Sequence, residues 1–213
     1  MRIGVIRVLT TEDPVELDSH GRVVREEFGV DTVSRCLPDQ PHGVHDDATF
    51  ARASAKVVEL AARMEREDEV DALIVSCAAD PGLAAARSRV RLPVIGAGEA
   101  AARRALELGS RVGVLDLTTR TPVSVTSVLG TALVASLVPR GIRRTHDLRG
   151  EAGLRASVEA ADDLVSRGAD TLMFACTGMT TIGLAARLTD RVSVPVVDAV
   201  RAAAGAAVRA AGD

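Results

Sequence analysis

Val70-Asp71-Ala72-Leu73-Ile74-Val75-Ser76-Cys77 and Ala169-Asp170-Thr171-Leu172-Met173-Phe174-Ala175-Cys176 are two copies of one pattern. Each has an acid in second place, then an apolar stretch too short for a helix, then a terminal cysteine. A short apolar run of this kind is a strand buried on both faces. Such strands belong to parallel sheets covered by helices.

The duplication extends outward from these segments. Upstream, Ile3-Gly4-Val5-Ile6 matches Val112-Gly113-Val114-Leu115. Downstream, Pro93-Val94-Ile95-Gly96 matches Pro195-Val196-Val197-Asp198. The members of each pair lie roughly 100 residues apart, so one structural unit occurs twice. Short β-branched runs predict strands near Arg2–Val8, Val30–Cys36, Val70–Ser76, Pro93–Gly96, Val112–Leu117, Ala132–Leu137, Thr171–Ala175 and Val194–Val197, with Ala-rich amphipathic helices between them. Asp13-Pro14 is a helix start, because proline at the first helical position gives up an amide that would be unpaired anyway. Asp80-Pro81 repeats that signal.

The expected fold is therefore α/β, with two similar lobes. Each is a mainly parallel sheet flanked by helices, and a pseudo-twofold axis relates them, with the active site between. Residues 1–97 are expected to form the first lobe and 98–202 the second, with a C-terminal helix at 203–213 returning to the first.

Cys77 and Cys176 each end a strand just before a helix. Ligands of open α/β sheets bind at that edge. Amides opening the next helix favour an anion there and lower a thiol's pKa. In a duplicated fold, the two thiols approach one ligand from opposite sides. One thiolate can take a proton from a carbon beside a carbonyl, and the other thiol can deliver one to the opposite face. The sulfurs should then stand roughly 7 Å apart around the reacting carbon. Amides at Ala78-Ala79 and Thr177-Gly178 are candidates to hold the developing enolate oxygen. Arg7 is a candidate clamp for an anionic group, because its planar fork suits carboxylates. Cys36 has no counterpart in the repeat and reads as packing.

Composition excludes several other classes. The 213 residues are 47% hydrophobic, but only 1% are aromatic, with Phe28, Phe50 and Phe174 the whole set. Base stacking on aromatic platforms has no material to work with. A net charge of -3 argues against nucleic-acid and membrane-surface binding. The opening Met1-Arg2-Ile3-Gly4-Val5 reads as a strand without the layout of a secretory leader, and no apolar run is long enough to span a bilayer. Three cysteines make no disulfide framework. A cytoplasmic protein acting on a small molecule is expected.

Ser76-Cys77-Ala78-Ala79-Asp80-Pro81-Gly82-Leu83, with Leu92-Pro93-Val94-Ile95-Gly96-Ala97-Gly98-Glu99, resembles the hydantoin racemase branch of the aspartate/glutamate/hydantoin racemase superfamily. Ala175-Cys176-Thr177-Gly178-Met179, with Val194-Pro195-Val196-Val197-Asp198, carries the same resemblance. It covers nearly the whole chain. It implies a two-lobed α/β fold, an isomerase needing no cofactor and no metal, and Cys77 and Cys176 as an acid/base pair. It further implies substrate contacts from Thr118, Thr119 and Thr177, a substrate loop at Pro41-His42-Gly43, and a homodimer. Two departures stand out. Arg7-Val8-Leu9 replaces the Asn-Pro-Asn usual after the first strand. Ala78-Ala79 replaces the Asn-Thr that follows the first cysteine in glutamate racemases, which argues against free glutamate as substrate.

Competing patterns exist. Gly96-Ala97-Gly98-Glu99-Ala100-Ala101 is a loose dinucleotide fingerprint, and Asp116 falls near where a ribose-binding acid belongs. That alternative is a nicotinamide-dependent oxidoreductase. Maleate isomerases and arylmalonate decarboxylases resemble the same scaffold, but decarboxylases of that kind keep one cysteine. His42 and His45 have the spacing of a weak metal motif, without further ligands at usual positions.

Overall fold

Eight strands form in the computed structural model, which describes residues 1–212. In chain order the elements are β1 (Arg2–Arg7), α1 (Pro14–Phe28), β2 (Asp31–Cys36), α2 (Asp47–Glu67), β3 (Ala72–Ser76), α3 (Leu83–Arg89), β4 (Val94–Gly96) and α4 (Ala97–Leu108). Then follow β5 (Val112–Leu115), α5 (Val123–Leu129), β6 (Leu133–Leu137), α6 (Gly150–Ser166), β7 (Thr171–Phe174), α7 (Gly178–Thr181), α8 (Leu184–Thr189), β8 (Val196–Val197) and α9 (Ala199–Gly212). Asp213, the end of the expected C-terminal helix, lies outside the described residues.

The strands make two all-parallel sheets of identical order, β2-β1-β3-β4 and β6-β5-β7-β8. The quoted repeats β3 and β7 hold equivalent inner places. Alternate residues divide each sheet between two cores, as a pleat of period two requires. Ala72 and Ile74 face a central cluster, while Leu73 and Val75 face an outer one under α2 and α3. In the second sheet Met173 faces the centre, while Leu172 and Phe174 face the outer cluster under α6 and α8.

The central cluster joins the lobes. Ala97, Ala101 and Ala105 of α4 and Ala199, Ala203 and Ala207 of α9 are fully buried in it. Alanine at these spacings lets two helix backbones approach closely. The packing crosses over: α4 follows β4 but also lies against β7 and α5, and α9 follows β8 but lies against β3 and α1. Matching glycines serve the outer cores. A Cβ on Gly4 would sit 2.5 Å from Leu73 Cδ2, and one on Gly113 would sit 2.9 Å from the Ala169 Cβ.

Asp13 caps α1 as expected, its Oδ1 accepting from the Val15 amide at 2.8 Å ahead of Pro14. Asp80-Pro81 does not start a helix. Asp80 has φ 51°, and α3 begins at Leu83 after Gly82 in the left-handed region. Asp80 points its carboxylate elsewhere, as described below. β5 stops at Leu115 rather than Leu117, because Asp116 turns back to accept from the Leu117 amide at 2.8 Å.

Candidate active site

A cavity of about 650 Å³ opens at the carboxyl ends of β1, β3, β5 and β7. Both lobes line it. Cys77 and Cys176 face it from equivalent places in the repeat, Cys77 directly after β3 and Cys176 two residues after β7. Among described residues, no helix is long and apolar enough to cross a membrane.

Each cysteine is followed by a tight turn. The Asp80 amide donates to the Cys77 carbonyl at 2.9 Å, and the Met179 amide to the Cys176 carbonyl at 3.2 Å. These turns aim backbone amides at the sulfurs: Ala79 and Asp80 at Cys77, Gly178 and Met179 at Cys176. The nearby Thr145 hydroxyl also favours the Cys176 thiolate, to a smaller degree. Gly178 is required here, because a Cβ would collide with the Thr145 methyl group and lie 3.4 Å from the Cys176 sulfur.

The expectation of a lowered thiol pKa is corrected. Burial pushes Cys77 up to about 12 and Cys176 up to about 11, and the amides offset only part of this. Nearby carboxyl groups add to the rise, Asp80 at Cys77 and Asp116 at Cys176. Turn amides stand where helix-start amides were expected after Cys77, but desolvation outweighs them.

The remaining candidates all line the same cavity. Arg7 is not the surface residue that a strand-end arginine suggests. It is 2% exposed, and its Nη1 donates to the Glu16 carbonyl (2.6 Å), the Leu17 carbonyl (3.1 Å) and Ser19 Oγ (2.8 Å). All three acceptors are uncharged. Burial lowers its pKa to about 10. Thr118 donates from its hydroxyl to the Arg120 carbonyl at 2.9 Å, while Thr119 is exposed. Thr177 donates from its hydroxyl to the Ser76 carbonyl at 3.3 Å, across the lobes. Ala78 is buried and its carbonyl accepts from Ser124 Oγ at 3.2 Å. His42 is exposed on the rim beside Gly43, whose φ is 66°. Gln40 holds that loop by donating to the Gly43 carbonyl at 2.9 Å. Cys36 lies outside the cavity, its Sγ donating to the Thr11 carbonyl at 3.5 Å.

Several cavity residues carry no local sequence signal. The fully buried His20 is one. Asp116, read from the sequence only as a ribose-binding acid, also lines the cavity: the repeat aligns it with Arg7, so equivalent strand ends carry opposite charges. Its Oδ1 accepts from the Leu117 amide and its Oδ2 from Ser136 Oγ at 3.2 Å. Glu16 and Arg149 form an ion pair between the lobes at the rim.

Asp80 decides the dinucleotide question. Its Oδ1 accepts from the Gly98 amide at 3.0 Å and its Oδ2 from the Glu99 amide at 2.7 Å. These are the amides at which a pyrophosphate would have to sit. The place of a missing Gly96 Cβ is 2.6 Å from Asp80 Cγ, so that glycine makes room for this carboxylate. The Gly96-Ala97-Gly98 turn therefore binds its own chain.

Comparison with known proteins agrees with this architecture. The hydantoin racemase of Paenarthrobacter aurescens is 30% identical over 160 residues, spanning 72% of this chain and 66% of that protein. A hydantoin racemase of Rhizobium meliloti is 33% identical over 143 residues, 63% of this chain and 57% of its own length. The matches thus span less than two thirds of these relatives. The solved structure of allantoin racemase from Klebsiella pneumoniae superposes with a TM-score of 0.85 at 27% identity, covering 98% of this chain and 86% of that one. A family profile described as Asp/Glu/Hydantoin racemase matches residues 3–207, and this chain belongs to that family.

Proposed function

We propose that this protein is a cofactor-independent racemase or epimerase. It moves a proton at a stereocentre beside a carbonyl, in a hydantoin or amino-acid derivative. Cys77 and Cys176 are its two bases. The observation that carries this is the placement of two thiols at equivalent strand ends in one cavity, each met by two turn amides. A mirror-image pair of substrates needs a nearly mirror-image pair of bases, and a duplicated fold supplies it. Deprotonation at one face puts negative charge on the carbonyl oxygen, and the amides of Ala79 and Gly178 are donors within the same cavity. Arg7 offers a fixed positive charge at one end, and Asp116 an acceptor at the other.

The decarboxylase alternative needs one thiol, so retention of both favours proton transfer to either face. The nicotinamide alternative loses its phosphate site to Asp80.

The test is a panel of enantiopure 5-substituted hydantoins, allantoin and amino acids, followed by polarimetry. Wild type should racemise at least one. Cys77→Ser and Cys176→Ser should each lose racemisation by about 1,000-fold or more, the scale on which paired catalytic groups act as a unit. Full activity in either variant would sink the two-thiol mechanism.

A further inference from the structure

His20 lies on the inner face of α1, 1% exposed, at the junction of the lobes. Its Nδ1 is 2.8 Å from Oγ of Ser76, the residue before Cys77. Its Nε2 is 2.9 Å from Oγ1 of Thr181, at the end of the α7 turn that follows Cys176. The Thr177 hydroxyl donates to the Ser76 carbonyl, and the Thr177 carbonyl accepts from the Thr181 amide at 3.4 Å. A closed set of bonds thus ties the backbone entering Cys77 to the backbone leaving Cys176.

Burial and the neighbouring Arg7 charge keep the ring neutral. A neutral imidazole has one donor and one acceptor. Both partners are hydroxyls, which donate or accept, so either tautomer fills both ring nitrogens. This leaves the ring no polar capacity for a substrate.

We propose that His20 is a positioning residue: a neutral strut between Ser76 and Thr181 that holds the two thiols at their working separation. The proposal rests on the two-thiol reading above. Racemisation needs both sulfurs aligned on one carbon, whereas removal and return of a proton on one face needs only one. A displacement near 1 Å can cost about 100-fold in rate. Loosening the strut therefore harms inversion more than one-sided exchange.

The experiment runs in deuterated water with the enantiopure 5-substituted hydantoin that wild type turns over fastest, beginning with 5-benzylhydantoin, after subtraction of the uncatalysed rate. It compares deuterium entering the starting enantiomer with deuterium entering the inverted product. His20→Asn keeps only the Ser76 arm, and His20→Gln only the Thr181 arm. Each should lower the inversion kcat about 10-fold or more, with KM within about threefold, and raise the retention-to-inversion ratio about fivefold or more. Thermal melting reports the folded fraction. If the ring variants fail to fold, Ser76→Ala and Thr181→Val leave the imidazole in place and should shift the ratio the same way. An unchanged ratio in folded variants overturns the strut while leaving the racemase reading intact. A wild type inactive on every hydantoin, allantoin and amino acid of the panel overturns the racemase reading itself, and the strut with it.

Discussion

The carboxylate of Asp80 caps the amino terminus of α4 through the Gly98 amide at 3.0 Å, linking the turn after Cys77 to the helix that crosses between lobes. Both oxygens are used, since the Glu99 amide takes the second at 2.7 Å. Burial nevertheless raises this carboxyl to about 7 from 3.8. Between those values the folded state holds a proton that the unfolded state has released. Asp80 therefore contributes stability that is fully present below about pH 4 and is lost as pH rises through about 7. Asp80→Asn should remove that contribution to the pH dependence and, by setting an amide N–H against a backbone N–H, cost about 1–3 kcal/mol at pH 5. Urea unfolding of both proteins at pH 5 and pH 8 checks it. A variant whose stability difference from wild type is the same at both pH values would contradict the assignment.

Gly98 explains why α4 can lie so close. A Cβ there would collide with the Ala78 carbonyl oxygen. Gly98→Ala should destabilise by about 1–3 kcal/mol through backbone displacement. It should also lower racemisation, because the displaced segment contains the Ala79 amide that faces Cys77. Gly205→Ala in α9 is the control. Its nearest neighbours would be 3.5 Å away, so it should gain about 0.5–1 kcal/mol from helix propensity alone. Equal effects of the two substitutions in urea titration would refute the packing argument.

The same residues mark what the sequence could and could not disclose. Eight strands and their parallel pairing in two lobes were legible, though not their order, because the apolar runs of Val70–Cys77 and Ala169–Cys176 recur with their flanking partners. Cysteine placement followed from that repeat. Asp80-Pro81 misled, because a local helix-start signal competes with a carboxylate partner at Gly98, eighteen residues on. His20 was invisible, since nothing in Asp18-Ser19-His20-Gly21 announces that its imidazole will be enclosed between lobes. The burial of Arg7 was hidden for the same reason: burial is a tertiary property. The thiols meet amides of the turns that follow them, Ala79 and Asp80 or Gly178 and Met179, but desolvation, which no local pattern reports, reversed the expected pKa direction.

That reversal has a kinetic consequence. With Cys77 near 12 and Cys176 near 11, both thiols are protonated at neutral pH. In the proposed two-thiol reaction, turnover needs one thiolate facing one thiol. The ionised fraction grows about tenfold per pH unit below the lower value, so kcat/KM for the best substrate should rise with a slope near one from pH 7 to pH 9 and show no plateau in that range. The two thiols interact, so the profile reports the pair rather than either sulfur. A plateau beginning below pH 8 would mean that the sulfurs are less desolvated than this cavity implies.

Arg7 separates a structural from a substrate-binding role. Its Nη1 bonds to the Glu16 and Leu17 carbonyls and Ser19 Oγ hold the first turns of α1, the helix that also carries His20. None of these partners neutralises its charge, and the residue lines the cavity. Arg7→Lys keeps a charge but loses the planar fork, so it should cost about 1–2 kcal/mol of stability through the lost carbonyl bonds. If the guanidinium also meets an anionic or carbonyl group of the substrate, KM should rise about tenfold with kcat changed less, since a contact made equally in ground and transition states acts on KM. Steady-state kinetics beside urea titration tells the two apart. A destabilised Arg7→Lys enzyme with wild-type KM would confine this arginine to bracing α1 and leave the recognition of any anionic group to the amides beside the cysteines.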